Sequence, residues 1–249
     1  MSFQEKKDSK RKTTPMIESP QNEKLKLVRK LRDRKHRERD GLFVTEGEDL
    51  LAAGKAAGAE PRLLLTATGS ELGGEEVERD LLDSVSELGS GTRAIAVWER
   101  PEGTPAVEPC VYLHGVGDPG NVGAVVRSAH ALLDAAAVLG PGCADPFSHR
   151  AARASMGSVF ARTPLMAPLE ATPEPRVALV AHGGEGLEGL AGAATVCLGA
   201  EREGLPADVL AGCQAQVTIP LRAEDAESLN VAAAAAIACD RMREGRPDA

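Results

Sequence analysis

Short apolar strands alternating with helical segments predict an α/β protein with a mostly parallel sheet covered on both faces. Two further observations refine this. A proline-rich break at residues 100–108 divides a smaller α/β unit from a larger one. The glycine loop 115–120 then joins a strand to a helix, as such sheets require. The expected organisation is a basic leader at 1–20, a small α/β domain at 21–99, a linker at 100–109 and a parallel-sheet domain at 110–249. A chain of 249 residues buries about 70% of its unfolded surface, so it needs no disulfide or metal staple.

The elements follow in order. Leu25, Val28 and Leu31, with Leu27 adjacent, recur at near-helical spacing, and Lys24, Lys26, Arg29, Lys30, Arg32 and Arg34 surround them. This predicts an amphipathic helix over 22–36 with a basic face. Next come a strand at Leu42–Thr45, a helix at 46–57, a strand at Arg62–Thr66, a helix near 75–88 and a strand at Arg93–Trp98. In the larger unit, strands are expected at Cys110–His114, Ala136–Leu139, Val177–Ala181, Thr195–Gly199 and Gln216–Ile219. Helices are expected near 121–133, 148–157, 206–212 and 228–243. Ser228 reads as the N-cap of the last helix, and Asn230 as a poor helix former just inside it.

Composition excludes several classes. No apolar run approaches the roughly 18 residues of a membrane span, and the N-terminus lacks the apolar core of a secretory signal. Aromatics are 2% of the chain, too few for a nucleic-acid platform that stacks bases on rings. Five cysteines with no C-x-x-C pair disfavour a disulfide framework or zinc finger and fit a reducing cytoplasm. The histidines show no ligand spacing, so no metal is expected. The net charge of −8 hides a split: residues 1–40 hold 14 Lys+Arg against 7 Asp+Glu, whereas the remainder holds 15 against 30. A basic arm on an acidic body suggests nucleic-acid contact at one end.

Gly115-Val116-Gly117-Asp118-Pro119-Gly120 is formally G-x-G-x-x-G, the dinucleotide-binding pattern. That pattern also needs an acidic residue ending the next strand. Here the strand runs into Gly140-Pro141-Gly142, so a tight strand-to-helix turn is the better reading. Three strand ends each deliver a glycine or proline turn with polar groups. The first is the 115–120 loop with Asn121 and, further along its helix, Arg127. The second is Gly199 through Leu205 with Glu201. The third is Ile219-Pro220-Leu221, followed by Glu227-Ser228-Leu229-Asn230-Val231. Such strand ends build small-molecule sites.

The strings Asp118-Pro119-Gly120-Asn121-Val122-Gly123 through Arg127, Gly199 through Gly204, and Ile219-Pro220 through Ser228-Leu229-Asn230-Val231 resemble the three signature motifs of the SpoU (TrmH-like) family. These are RNA ribose 2′-O-methyltransferases of the SPOUT superfamily. Asp145-Pro146-Phe147-Ser148 with Arg153-Ala154-Ser155-Met156-Gly157 resembles the segment between the first two motifs. More weakly, residues 22–98, marked by Gly41 through Gly47, resemble the family's L30-like RNA-binding domain. The resemblance implies a C-terminal trefoil knot, an S-adenosyl-L-methionine site in the knot loops, and a homodimer whose RNA site spans both subunits. It assigns Arg127 the central role, with Asn121, Glu201, Ser228 and Asn230 orienting it and the RNA, Glu201 by pairing with an arginine. Backbone groups near Gly199, Ile219 and Leu229, and with them Ala181, would hold the methyl donor. Lys30, Arg34, Lys35 and Arg153 are the candidate RNA contacts, while Arg150 reads as solvated charge. Arg202 stands where the family commonly has glycine, and could touch RNA or pair with Glu203.

The expected activity is therefore ribose 2′-O-methylation of RNA, with 23S rRNA the favoured substrate. A tRNA substrate, or a non-catalytic RNA-binding or ribosome-assembly protein of the same fold, remain as alternatives. A guanidinium is effectively always protonated, so Arg127 is expected to anchor the ribose and phosphate electrostatically rather than act as a base.

Overall fold

A computed structural model describes residues 16–222 and 228–245. The leader reading for residues 1–15, and Glu227 in the third motif loop, lie outside the described residues.

The first unit is a four-stranded sheet flanked by helices. Its elements are α1 (Glu23–Lys30), α2 (Arg34–Asp40), β1 (Leu42–Glu46), α3 (Glu48–Ala56), β2 (Leu63–Ala67), β3 (Glu75–Val77), α4 (Arg79–Asp83) and β4 (Ala94–Glu99). The sheet order is β1-β4-β2-β3, with β4 antiparallel to both neighbours and β3 parallel to β2.

Two helices of this unit depart from expectation. The single helix predicted over 22–36 is two helices with a break at 31–33. Asp33 accepts a hydrogen bond from the Lys35 amide and so starts α2 afresh. Arg37 reaches back to the carbonyls of Leu31 and Arg32 at 2.9 and 2.6 Å, satisfying the end of α1. The helix predicted near 75–88 is an edge strand followed by a five-residue helix. Gly73 and Gly74 both take positive φ and turn the chain into the sheet edge, where Val77 buries beside Leu65, Val85 and Ile17.

The second unit contains β5 (Cys110–Leu113), α5 (Pro119–Leu133), β6 (Ala137–Leu139), α6 (His149–Ala154), α7 (Ser158–Ala161), β7 (Leu165–Met166), β8 (Arg176–Leu179), β9 (Thr195–Leu198), α8 (Ala207–Ala211), β10 (Ala215–Val217) and α9 (Val231–Glu244). Its six strands are all parallel, in the order β10-β8-β9-β5-β6-β7. Two-residue β7 is too short for an alternation pattern to reveal. The 148–157 helix closes at Ala154, and a separate turn of helix follows Gly157.

One face of this sheet buries Val111, Leu113, Val196 and Leu198 against α5 and α9. From α5 come Val122, Val125, Val126 and Ala129, and from α9 Val231, Ala235, Ala238 and Cys239. Each buried valine contributes about 1.5–3 kcal/mol. Gly123 permits the close crossing of α5 and α6, because a Cβ there would lie 2.2 Å from the Ala151 carbonyl oxygen.

The segment joining the units is pinned at Thr104, whose amide donates to the Thr163 carbonyl. Between the units, Arg37 Nε donates to Asp145 at 2.8 Å, with both side chains about 5% exposed. Phe147 packs edge-on against Phe43 at 5.1 Å and lies 4.5 Å beneath the Arg100 guanidinium. His149 lies between Glu46 and Glu87. The segment 145–157 is therefore the plug that seats the first unit on the second.

Candidate active site

A cleft of about 360 Å³ opens at the carboxyl ends of β8, β9 and β10, within the range of small-molecule sites. Ala181, Gly199, Ile219 and Leu229, the four residues expected to hold a methyl donor, all line it, with Glu201 and Ser228 at its polar edge. The wall also includes Leu205, Leu221 and Val231, which the sequence reading did not name as site residues. Each adjoins a motif residue, but an apolar side chain at a strand or helix end carries no pattern separating a ligand wall from core.

The three motif loops meet at one carboxylate. Asp118 accepts a hydrogen bond from the Asn121 amide at 3.0 Å and, with Pro119 behind it, starts α5. The Asp118 side chain thus occupies the helix N-terminus where a dinucleotide's pyrophosphate would bind. Gly115 (φ +70°) supplies the turn. On the second loop, the Gly204 amide closes back onto the Ala200 carbonyl at 2.9 Å. Gly199 lies so near this closure that a Cβ would fall 2.2 Å from the Gly204 carbonyl carbon. The tight loop presents Glu201, whose Oε1 accepts from Asn121 Nδ2 at 2.7 Å and from Asn230 Nδ2 at 2.9 Å. Asn230 Nδ2 also lies 3.1 Å from Asn121 Oδ1.

Two expected roles need correction. Asn230, not Ser228, is the N-cap of the last helix: its Oδ1 accepts from the Ala232 amide at 2.9 Å. The helix starts at Val231, so Ser228 is left in the loop lining the cleft. Glu201 also holds no arginine among the described residues. Two neutral amides occupy its Oε1, and Oε2 has no partner among the described residues. Arg127 lies six residues beyond Asn121, exposed, with no hydrogen bond or ion pair among the described residues. Asn121, Glu201 and Asn230 therefore orient one another, and none of them hydrogen-bonds Arg127 among the described residues.

The expected RNA contacts divide by pairing. Arg153 Nη1 donates to both oxygens of Asp49 on α3 at 2.7 and 2.6 Å, which commits it to the joint between the units. Lys30 pairs with Asp40 and Arg34 with Glu38, both as half-exposed pairs. Glu38 raises the Arg34 pKa chiefly through its hydrogen bond. Lys35 has no ion pair among the described residues. Arg150 is paired with Asp118 at 3.3 Å. Among the described residues, no cluster of three His, Cys, Asp or Glu could hold a metal ion.

A parallel sheet with a cleft and a three-loop polar network at its strand ends is how α/β proteins build a ligand site, and comparison specifies the class. The chain belongs to the SpoU rRNA methylase family, whose family model matches residues 108–240. Residues 22–100 match the MRM3-like substrate binding domain. Over 245 residues the chain is 32% identical to the 23S rRNA (guanosine(2553)-2′-O)-methyltransferase RlmP of Bacillus subtilis, covering 91% of this chain and 98% of that protein. Among solved structures, an AdoMet-bound rRNA methyltransferase from Sinorhizobium meliloti superposes with a TM-score of 0.83 at 27% identity, covering 94% of this chain and 99% of that one. The SpoU methyltransferase AviRb from Streptomyces viridochromogenes, in complex with AdoMet, gives 0.79 at 25% identity, covering 90% and 98%.

Proposed function

We propose that this protein is an S-adenosyl-L-methionine-dependent methyltransferase that methylates a ribose 2′-OH in RNA, with 23S rRNA as its target. The carrying observation is the Asn121–Glu201–Asn230 network, assembled from three loops at the mouth of the 360 Å³ cleft. The 23S rRNA activity of the Bacillus subtilis relative and the AdoMet bound by the two solved relatives support the reading.

The cleft fits the donor. Ile219, Leu229, Leu205 and Val231 give apolar walls for a purine, and the turns at Gly199 and Ile219 expose backbone at the strand ends. When bound there, S-adenosylmethionine supplies an electrophilic methyl on a sulfonium whose departure leaves a neutral thioether. The chain's residues then have three tasks. The cleft holds the donor so that the ribose oxygen meets the methyl in line; fixing two reactants in this way accounts for much of such an acceleration. Arg127, permanently cationic, binds ribose and phosphate and stabilises negative charge developing on the 2′-oxygen. Glu201, held at Oε1 by two amides, offers Oε2 as the acceptor for the hydroxyl proton as the oxygen–carbon bond forms.

Asn121 and Asn230 are positioning residues for Glu201, and Ser228 completes the polar edge. Exposed pairs such as Lys30–Asp40 and Arg34–Glu38 contribute little as they stand, and exchanging their carboxylates for phosphates would dock RNA on α1 and α2 beside Lys35. The C-terminal trefoil knot that the resemblance implies belongs to the same proposal. A homodimer and a cytoplasmic location complete the proposal. In its support, the described cysteines form no disulfide and no described helix is long and apolar enough to cross a membrane.

The test combines purified protein, labelled S-adenosylmethionine and separated unmodified rRNA and tRNA, with Arg127→Ala as control. Label in rRNA that protects one linkage from alkaline cleavage, and that is lost in the control, is the expected result. Label in tRNA alone would keep the chemistry and replace the substrate. Donor binding without transfer to free RNA would direct the assay to ribosomal particles. Neither transfer nor donor binding would favour a non-catalytic RNA-binding protein.

A further inference from the structure

The second unit has an unusual cation inventory. No lysine occurs after Lys55, so any RNA phosphate that it binds through a side-chain cation must meet arginine or histidine. Of its nine described arginines, six hold carboxylates: Arg150, Arg153, Arg162, Arg176, Arg241 and Arg243. Arg127, Arg202 and Arg222 have no hydrogen bond or ion pair among the described residues, and all three are exposed. They come from three separate elements, and two of them, Arg202 and Arg222, stand at or next to residues that line the cleft. Arg127 extends from α5 beyond Asn121. Arg202 follows Glu201 and is the sole Lys or Arg lining the cleft among the described residues. Arg222 follows Leu221, which also lines the cleft.

Their surroundings explain why Arg202 is free. Glu201 turns its Oε1 to Asn121 and Asn230, and neither it nor Glu203 forms an ion pair with Arg202 among the described residues. The five-residue closure from Ala200 to Gly204 pushes the intervening side chains outward. The rest of the body is acidic, with 30 Asp+Glu against 15 Lys+Arg over residues 41–249, and so repels a polyanion except where cations are left unpaired. A guanidinium presents a planar fork of donors that matches phosphate oxygens.

We infer that Arg202, on the lining of the cleft, and Arg222, next to the cleft-lining Leu221, form a phosphate clamp that grips the RNA backbone beside the target ribose. The clamp rests on the RNA methyltransferase reading above. It makes Arg202 a substrate-positioning residue.

The test measures binding of an unmodified 23S rRNA transcript against salt concentration for the full chain and for Arg202→Ala, Arg222→Ala and the corresponding Lys variants, with S-adenosylmethionine affinity measured separately. Each lost phosphate contact lowers the slope of log affinity against log salt by about 0.7–0.9. Each Ala variant should lose about that much, raise KM for RNA, and leave donor affinity unchanged. The Lys variants keep the charge and should restore the slope. An unchanged slope in both Ala variants, while the unaltered protein binds and methylates RNA, would overturn the clamp alone. Parallel loss of donor affinity would assign these arginines to the donor's carboxylate and overturn it too. Failure of the unaltered protein to bind RNA would overturn both readings.

Discussion

Asn230 performs two tasks with opposite ends of one amide: its oxygen caps α9 and its nitrogen holds Glu201. The tasks can be separated. Asn230→Ser keeps a capping oxygen but is too short to reach Glu201. It should melt within about 0.5 kcal/mol of the parent, because Ser and Asn cap comparably, while methyl transfer falls at least tenfold. Asn230→Ala loses both, with a further stability loss of about 1 kcal/mol. Thermal melts beside single-turnover rates distinguish the two. Gly199 imposes a different constraint. A methyl at that position would meet the Gly204–Leu205 backbone at 2.2–2.4 Å, so Gly199→Ala must open the loop that carries Glu201. Calorimetry should show donor affinity reduced by an order of magnitude or more, and unaltered donor binding would refute this placement of the loop. Asn121, Glu201 and Asn230 were legible from their place in three ordered motifs. Their mutual hydrogen bonds were not, because contacts between residues 29 to 109 positions apart leave no trace in local spacing.

Helix α6 and the loop before it show how an element changes meaning once packed. Residues 145–157 are part of a family-like segment and suggested an RNA contact at Arg153. In the structure Asp145 receives Arg37, Phe147 packs edge-on against Phe43, and Arg153 grips Asp49. The Arg37–Asp145 pair is buried and Arg37 also caps α1, so removing one partner leaves an uncompensated charge in a dry joint. Asp145→Ala should destabilise the protein by about 3–5 kcal/mol, measured by denaturant unfolding. Replacing both members with apolar residues of similar size should cost less than either single change. The break between α1 and α2 has the same origin. The apolar stripe through Leu31 favoured a continuous helix, and the cap at Asp33 with the reach of Arg37 ended it. Asp33 was the visible signal; the role of Arg37 depended on a partner 108 residues away.

Across the whole molecule, burial sets the chemistry of the cysteines. Desolvation raises the Cys110 thiol from its ordinary 9.0 to about 11 and the Cys239 thiol to about 12. Tyr112 is likewise raised to about 12. A hydrogen bond from Cys197 lowers the half-buried Cys213. At pH 8 a thiol-alkylating reagent should modify Cys213 rapidly and Cys110 and Cys239 only after denaturation, as peptide mapping would show. The sign for stability follows. A group whose folded pKa is raised supports the fold fully below its unfolded pKa and loses that support as pH climbs toward the folded value. Stability should therefore hold through neutrality and decline from about pH 9 toward 11–12, as Cys110, Cys239 and Tyr112 come to favour the unfolded chain. A flat stability profile across that window would contradict the burial assigned to these groups.

By itself the sequence determined the α/β class, the glycine turns, most of the strands and helices of the larger unit in their order, and the three loops that carry the polar residues. Hydrophobic period and turn chemistry are local, and local order is enough to write them. Tertiary structure alone decided that the three loops close on Glu201, that Asn230 rather than Ser228 caps the last helix, and that Arg153 serves the joint between the units. It also decided which of the described arginines hold carboxylates. Whether a charge is free or paired depends on partners brought close by folding, and residue spacing along the chain does not encode that distance.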